Sequence, residues 1–561
     1  MVNWKSRKLG DYLLFANGVV LVVLINLLAA QFFFRVDLTE EKRYSIKPQT
    51  RAILQNLEDE VYIEVYLEGE LNAGFRRFQK SIKETLEEFR VYSGNKVHYI
   101  FTNPAIAQGQ KAQAEFMNDL ASRGIQPTNV IDTKDGQRVE KIIFPGAVVS
   151  VGGMETGLML LKGSTAKTSD ERINQSIENV EFELINTIYK LSNSDRKRIG
   201  FVTGHNELED ADLASFNNDL LEVYDVYKVD MGRTADLKKY DALIIAKPRT
   251  AFSQQDKFRL DQYIMQGGKV MFLLDKLDAS MDSASRNDYL AIPYDLNLDD
   301  QLFKYGVRIN PDLIQDQSAA PYPIVTGDAG GKPQMQLIDW PFYPLINHYA
   351  DHPVTRNLDA VLTRFVSSID TVKAPGIHKI PLLTTSQYSR AITAPVNVSV
   401  NELRKNVKAE DFSKSFIPVG YLLEGNFTSL FKNRFIPEGI EQTPIIEKSI
   451  PTRLVVIADG DIVRNDINPR SRQPQPLGFY PFTNYTFANR ELLMNTLAYL
   501  TEENGLIQAR SKQIKIRPLD REKIKQEKVK WQVINLGIPV LLVIVFGVLR
   551  AYWRRNKFAR F

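Results

Sequence analysis

Two long uncharged apolar runs, one near each end, constrain this chain more than any other feature of its sequence. The first covers residues 12–34 and the second residues 531–549. A hydrocarbon core of roughly 30 Å needs about 20 apolar residues in a helix, so each run is long enough to cross a membrane. For the first run the alternative is a cleaved signal peptide, but residues 28–30 form a poor cleavage site. We predict an uncleaved anchor at each end.

Basic residues beside the two runs indicate their orientation. Lys5, Arg7 and Lys8 precede the first run and five basic residues follow the second, which favours a cytoplasmic location for both termini. A basic linker at residues 506–530 weakens the signal at the second run, so the first run decides. The prediction is a bacterial inner-membrane protein with cytoplasmic ends at 1–11 and 553–561, transmembrane helices at 12–34 and 531–552, and a periplasmic body.

Small and amide side chains within the two runs predict contacts with the membrane helices of a partner, because such residues allow close helix packing in lipid. The alternative is that any single anchor tolerates them. The candidates are Asn17, Gly18, Asn26, Asn535, Gly537 and Gly547.

Charge and cysteine content exclude several classes of function. The chain has 71 basic and 67 acidic side chains, and a surplus of only +4 argues against a nucleic-acid partner. It has no cysteine, which excludes disulfides, thiolate catalysis and thiolate metal sites. No motif for a cofactor or a metal stands out, and we expect neither.

The body of the chain reads as two α/β domains. Residues 35–190 alternate strand and helix patterns: a strand from Val61, a helix at 73–92, a strand from Lys96, a helix near 110–123, and strands VEKIIFPGAVVSV and TGLMLLKG around Gly152 and Gly153. The order βαβαββ suggests a thioredoxin-like domain without its redox cysteines. A polar helix near 175–191 leads into the second domain.

Residues 195–505 predict a doubly wound α/β domain with a parallel sheet. RIGFVTG, VYDVYKVD, YDALIIAKP, KVMFLLD and TRLVVIADGDIV read as strands that alternate with helices near 212–224, 254–267 and 489–501. Residues 294–449 are less regular and look like a long insertion, in which VLTRFVSSID and KIPLLTTS still resemble strands. The fold class is therefore α/β, with two domains bracketed by two transmembrane helices.

Ligands of doubly wound sheets bind at the carboxyl ends of the strands. That rule directs attention to the loops after the predicted strands, where His205 and Glu207 could bind a ligand or do acid/base work. The alternative is a turn in which Glu207 opens a helix. Asp459 and Asp461, with Asp466, could hold a cation, although Asp and Gly are also common turn residues. The ligand-binding candidates are His205, Glu207, Asp275, Asp459 and Asp461.

Two further motifs resemble a metal site and a phosphate-binding loop, but both are better explained as ordinary loops. His348 and His352 with Asp351 invite a zinc interpretation, yet Pro353 follows at once and a loop is favoured. TGDAGGKP at 326–333 superficially resembles a phosphate loop but lacks its first glycine and its hydroxyl residue. We predict that the chain is not an ATPase.

Several segments together resemble the GldG family, the auxiliary subunits of gliding-associated ABC transporters in Bacteroidetes. They include RVDLTEEKRYSIKPQT at 35–50, the GHNE turn at 204–207, RLVVIADGDIVRND, and NRELLMNTLAYLTEENGLIQARSKQIKIRPLD, so the match covers almost the whole chain. The resemblance implies a non-ATPase subunit that pairs with a multispanning permease and, through it, a cytoplasmic ATPase.

Attachment at both ends favours a fixed scaffold or mechanical arm, present in two copies per complex, over a mobile receptor. Two alternatives stay open at this point: a periplasmic solute or peptide receptor that binds at the strand-end loops, and a hydrolase that uses His205 and Glu207.

Overall fold

The computed structural model describes residues 7–31, 45–104, 110–134, 137–162, 169–193, 196–234, 236–284, 289–329, 332–399, 409–440, 444–501 and 521–558. The chain divides into two units, Met1–Lys512 and Gln513–Phe561, which are described separately.

The N-terminal part of the first unit contains a four-stranded sheet and a separate hairpin. Its elements are α1 (Arg7–Gln31), α2 (Pro48–Gln55), β1 (Val61–Val65), α3 (Ala73–Tyr92), β2 (Val97–Phe101), α4 (Gln110–Ser122), β3 (Thr128–Lys134), β4 (Gln137–Ile143), β5 (Gly146–Val151), β6 (Met154–Met159) and α5 (Ser169–Ser192).

The four-stranded sheet has the order β2-β1-β5-β6, with β1 and β2 parallel and the other pairs antiparallel. Helix α3 begins and ends at the predicted residues, and its apolar side chains at helical spacing are buried, from Phe75 through Phe89. Asn72 caps this helix, since its side chain accepts a hydrogen bond from the Phe75 N–H at 3.0 Å.

The segment VEKIIFPGAVVSV is two strands, and its prediction as one strand is wrong. Pro145 has no N–H for a sheet ladder, and the chain breaks there into β4 and β5. Strand β4 pairs with β3, which the sequence analysis missed, in a hairpin separate from the main sheet of this part. The predicted turn at Gly152 and Gly153 is confirmed, with positive φ at both residues as a tight hairpin turn requires.

The rest of the first unit is built around one large sheet. Its elements are β7 (Arg198–Thr203), α6 (Asp210–Leu221), β8 (Asp225–Asp230), β9 (Ala242–Ala246), α7 (Gln254–Met265), β10 (Val270–Leu273), α8 (Met281–Ala284), β11 (Leu290–Ala291), α9 (Asp299–Tyr305), β12 (Val307–Ile309), β13 (Asp312–Asp316), β14 (Ala319–Ala329), β15 (Lys332–Ile346), β16 (His348–Tyr349), β17 (Val361–Leu362), β18 (Ile369–Thr371), β19 (Ile377–Thr384), β20 (Ser389–Thr393), β21 (Val396–Asn397), β22 (Pro418–Gly425), β23 (Thr452–Ile457), β24 (Phe479–Tyr480), β25 (Tyr485–Thr486) and α10 (Asn489–Thr501).

The large sheet has eight strands in the order β16-β19-β22-β23-β10-β9-β7-β8. Strands β23, β10, β9, β7 and β8 are parallel, which agrees with the strands predicted for the second domain. Every residue of β9 and β10 is buried, because helices or other elements cover both faces of the sheet. Ser253 caps α7, since its side chain accepts a hydrogen bond from the Asp256 N–H, and Gly267 follows the end of the helix with φ 92°.

The predicted insertion is part of this sheet rather than an appendage to it. Its strands β22, β19 and β16 extend the parallel core in antiparallel pairs beyond β23. VLTRFVSSID forms two short strands, β17 and β18, in place of one. TGDAGGKP lies where the long hairpin of β14 and β15 turns, and residues 330 and 331 of it are outside the described residues.

The C-terminal unit contains helix α11 (Arg521–Phe558), with Pro539 inside it. Its stretch Glu527–Asn556 is long and apolar enough to cross a membrane and suggests an anchor. Of the first predicted span, α1 covers residues 12–31, and residues 32–34 are outside the described residues. The apolar stretch described there, Tyr12–Asn26, is shorter than a span requires, so the first anchor stays a prediction.

Candidate functional site

Four side chains from three neighbouring strand ends meet at the carboxyl edge of the large sheet. Lys247 directly follows β9, Asp275 follows β10, and Asp459 and Asp461 follow β23. The Lys247 Nζ atom lies 2.8 Å from Asp275 Oδ2 and 2.5 Å from Asp461 Oδ2. Because the parallel strands end side by side, residues far apart in sequence form one buried group, which we call the strand-end cluster.

The backbone ties the strand-end cluster together. The Gly460 N–H donates to Asp275 Oδ1 at 2.5 Å, and Asp459 accepts from the Asp461 N–H at 2.8 Å. A Cβ added at Gly460 would lie 2.7 Å from the Lys247 Cβ, so this turn packs directly on the lysine. Lys247 itself has φ 53°, a conformation that costs a non-glycine residue energy and that its surroundings must hold in place.

An arginine of the insertion completes the surroundings of the cluster. The Arg364 N–H donates to Asp459 Oδ2 at 2.8 Å. The Arg364 guanidinium binds both carboxylate oxygens of Asp466, at 3.1 and 2.7 Å. Asp466, named by the sequence analysis as a possible cation ligand, is thus held in an ion pair, and Arg364 was missed because nothing nearby in the sequence marks it.

Burial and charge set the protonation of these groups in opposite directions. Burial raises the pKa of Asp459 well above its usual range, and the negative charges of Asp275 and Asp461 raise it further. Burial also raises the pKa of Asp275, although Lys247 opposes the shift. Burial opposes the charged form of Lys247, yet the negative charges of Asp275 and Asp461 raise the pKa of Lys247. Burial also opposes the charged form of Asp461, yet Lys247 lowers the pKa of Asp461.

This arrangement leaves little room for a ligand. The lysine ammonium already occupies the place between two carboxylates that a bound cation would take. Among the described residues no group of three or more His, Asp or Glu side chains is arranged to hold a metal ion. Within the strand-end cluster, Asp461 Oδ1 is buried without a hydrogen bond and lies 3.7 Å from the Arg464 guanidinium. The charged groups of the cluster bind one another and hold the three strand ends together.

His205 and Glu207 form a second buried group on the neighbouring loop. His205 Nδ1 lies 3.1 Å from Glu207 Oε1, and Nε2 lies 3.3 Å from Asp256 Oδ2. The imidazole stacks on the Phe252 ring, with centroids 3.6 Å apart. Glu207 does not open a helix, since α6 begins at Asp210. The sequence analysis missed Asp256, although its position three residues after the cap Ser253 was a signal.

The two carboxylates keep His205 protonated. Burial alone would lower the pKa of His205, but hydrogen bonds and charge from Asp256 and Glu207 raise it to about 9. The His205 carbonyl accepts from the N–H groups of Arg249 and Thr250, at 2.9 and 3.1 Å. The GHNE loop is therefore bound to the segment that follows Lys247, and a charged histidine is a poor general base.

Comparison with known proteins decides the family. The profile of an ABC-type uncharacterized transport system, an auxiliary component, matches residues 196–496, more than half of the chain. The chain belongs to this family. As an auxiliary transport component it associates with other transporter subunits, and the family is not a known ATPase. A domain of unknown function, DUF7088, matches residues 40–150.

A distant relative is similar to this chain along almost its whole length. An uncharacterized protein of Borreliella burgdorferi is 21% identical over 572 aligned residues, covering 98% of this chain and 99% of that protein. Among solved structures, the mmIFT52 N-terminal domain is similar at a TM-score of 0.31 and 13% identity, covering 54% of this chain and 97% of that one. A similarity that low supports no conclusion about the fold.

The three residues considered as possible zinc ligands, His348, His352 and Asp351, do not form a common site. The His348 ring contacts Phe416, while the His352 ring packs on Tyr499 and its Nδ1 accepts from the Val354 N–H at 3.3 Å. Asp351 pairs with Arg356.

The predicted membrane contacts lie on exposed helix surface. Asn17 and Asn535 are exposed, and Gly18, Gly537 and Gly547 have open space around them. The Asn26 amide donates to the Val22 carbonyl of its own helix at 2.9 Å. Their role as partner contacts stays a prediction.

Proposed function

We propose that this family member is a membrane-anchored, non-ATPase subunit that serves as a fixed scaffold in an ABC transporter complex. It works beside a separate multispanning permease and a cytoplasmic ATPase. The observation that carries the proposal is the strand-end cluster: the edge where a receptor of this fold would hold its ligand is filled by the protein's own Lys247, Asp275 and Asp461.

The resemblance to the GldG family supports a role in gliding motility. On this proposal, ATP hydrolysis on a partner subunit drives the complex, and two copies of this chain flank the permease. The chain contributes no catalytic group of its own. His205 and Glu207, which the hydrolase alternative requires, hold each other in a buried ion pair with Asp256.

The proposed topology has two membrane helices, at 12–34 and 531–552, with both termini in the cytoplasm and the body in the periplasm. The apolar stretch of α11 and the basic residues that follow it support the second anchor. The proposed body has a thioredoxin-like domain at 35–190 and a doubly wound domain at 195–505. The order β2-β1-β5-β6, with its parallel pair and two antiparallel pairs, supports the first of these.

Assembly through the membrane helices is tested by co-purification with the permease. Replacing Asn17, Asn26 and Asn535 together by Leu keeps the helices apolar but removes the amides, so recovery of the permease and the ATPase should fall. Replacing Val20, Val533 and Val540 by Leu is the matched control and should leave recovery unchanged. Equal recovery with both variants would contradict assembly through these helices.

Substitutions in the GHNE loop distinguish the scaffold from the two alternatives, a receptor and a hydrolase. Replacing His205 and Glu207 together by Ala removes the groups that a hydrolase or a strand-end receptor would use. A scaffold keeps motility with this variant, provided that the protein still folds and reaches the membrane. Loss of motility with a folded, membrane-inserted variant would favour the receptor or the hydrolase.

A further inference from the structure

A cleft of about 690 Å³ lies between α9, β12 and the loop that follows β22. Lys276, the residue after Asp275, lines this cleft. The cleft is therefore close to the sheet edge but separate from the strand-end cluster. Its volume falls within the range of small-molecule sites, roughly 300–1,000 Å³. We call it the basic cleft.

The wall of the basic cleft carries an excess of positive charge. Its carboxylates are already engaged: Asp299 with Lys276 at 2.7 Å, and Asp300 with both the buried Lys257 at 2.6 Å and Arg434 at 2.9 Å. Two more lining cations have carboxylate partners outside the cleft. These pairs are Arg308 with Asp370 and Lys432 with Glu447.

With Lys304, the cleft and its partners hold six cationic groups against four carboxylates. Among the described residues, these ion pairs therefore leave a surplus of two positive charges at the cleft. Arg434 is about half exposed, at 47% of its side chain, and can turn toward a bound anion because Asp300 keeps Lys257 as a partner. A concave wall with such a surplus concentrates anions.

Apolar side chains line the same cleft beside the cations. Phe303 is 51% exposed, and Ile309, Pro311 and Leu430 complete the apolar part of the lining. An exposed aromatic ring within a concave charged site gains stability when an apolar group covers it. The two kinds of lining together fit a ligand with an anionic head and an apolar body.

We propose that the basic cleft binds an anionic ligand in which a phosphate or carboxylate head is joined to an apolar body. Lys304 and Arg434 hold the head, and Phe303 covers the body. The ligand is a free solute or a lipid whose headgroup has the same chemistry. This inference goes beyond the scaffold proposal and does not depend on it, since the strand-end cluster plays no part in the binding.

Titration calorimetry on the full chain in non-ionic detergent tests the proposal, with phenyl phosphate and inorganic phosphate as probes. We expect saturable one-to-one binding of phenyl phosphate, weakened about tenfold or more when Lys304 and Arg434 are both replaced by Ala, because charge-assisted contacts are lost. Replacing Phe303 by Ala should weaken phenyl phosphate but leave inorganic phosphate unchanged.

The matched control removes the same charge elsewhere. Lys80 and Arg233 are exposed and lie outside the cleft, so replacing both by Ala should leave phenyl phosphate binding unchanged. Equal weakening by the control, or no saturable binding up to about 10 mM, would overturn the proposal. Urea unfolding of each variant checks that the body remains folded.

A second arm identifies the source of the ligand. The full chain in nanodiscs of zwitterionic lipid is compared with the chain in nanodiscs that contain phosphatidic acid. Weaker phenyl phosphate binding in the acidic nanodiscs, for the native chain and for the Lys80 and Arg233 control alike, would support a lipid headgroup. Unchanged binding would support a free solute.

Discussion

At the scale of single residues, the carboxyl edge of the sheet shows how buried charge restricts what a site can do. Lys247 has a side chain only 5% exposed, yet it remains charged because Asp275 and Asp461 hold its ammonium. Taking three ionisable groups out of water is costly, and the group is stable only while each charge has its partner. Such a group stabilises the local structure, and its paired charges are not available to bind a ligand.

Removing Lys247 should therefore destabilise this edge of the sheet. We expect Lys247→Met to lower the free energy of unfolding by about 3–5 kcal/mol, since Asp275 and Asp461 are left buried without their counter-ion. The measurement is urea unfolding of the full chain followed by circular dichroism. The exposed Lys238→Met is the control and should change stability little.

Rescue makes the assignment specific. Adding Asp275→Asn and Asp461→Asn to Lys247→Met removes the unpaired charges, so the triple variant should be more stable than the single one. Suppose instead that the triple variant loses as much stability as the three single substitutions added together. That result would contradict stabilisation by pairing of the charges.

His205 should make stability depend on pH. Its pKa of about 9 in the folded protein lies above the value of roughly 6.5 for a free histidine, so its contribution is complete below pH 6.5 and is lost as the pH rises through 9. The size is on the order of 3 kcal/mol, a quantity shared with Asp256 and Glu207 rather than added to theirs.

Thermal unfolding at pH 6, 7.5 and 9 measures this effect as the difference between the native chain and His205→Gln. The difference should shrink across that series, because the native histidine loses its proton and its attraction to the two carboxylates. A difference that is constant with pH would show that His205 contributes by packing on Phe252 alone.

At the scale of elements, the insertion supports the domain that it interrupts. Strand β22 lies between β19 and β23, and the Arg364 N–H reaches Asp459 from the same insertion. Without β22, the β23 edge would expose a row of unpaired N–H and C=O groups. The irregular composition of residues 294–449 thus conceals strands that the large sheet needs.

Leu422 tests this dependence. Its side chain is fully buried in the core of the large sheet, so Leu422→Ala should cost about 2–5 kcal/mol and shift the unfolding of the whole sheet. Met335, also in the insertion, is 70% exposed, and Met335→Ala should have little effect. If the insertion were an independent appendage, Leu422→Ala would leave the main unfolding transition unchanged, as seen by hydrogen exchange in β9 and β10.

At the scale of the whole molecule, the proposed scaffold depends on which side of the membrane holds the body. The chain has no cysteine, so single cysteines introduced at Thr250 and Asn556 report their own locations without background. We expect Thr250→Cys to react with a membrane-impermeant maleimide in intact spheroplasts, and Asn556→Cys to react only after lysis. Both positions are exposed and able to react. The reverse pattern would place the body in the cytoplasm and contradict the topology.

Local patterns in the sequence predicted much of the fold. The apolar spacing of Phe75 and its neighbours predicted α3 to the residue, and α10 likewise begins at Asn489 and ends at Thr501 as expected. The central parallel strands β23, β10, β9 and β7 were found because a strand buried on both faces must be largely apolar. The rule that ligands bind at strand ends directed attention to Asp275, Asp459 and Asp461, which the fold does bring together.

Long-range pairing could not be predicted in the same way. Asp256 joins His205 from 51 residues away, and β22 joins β23 in an antiparallel register that no short segment encodes. The hairpin of β3 and β4 likewise depended on which strands were free to pair. Such choices are made by contacts between distant segments, which a periodicity does not reveal.

The sequence by itself determined an α/β chain with an apolar C-terminal helix and acidic residues at the strand ends, because these features follow from local hydrophobicity and spacing. Only the tertiary structure decided that those acidic residues are bound by Lys247 and that Arg364 of the insertion reaches them. The reason is physical: a side chain's charge is written in the sequence, but whether that charge is free depends on which groups folding buries beside it.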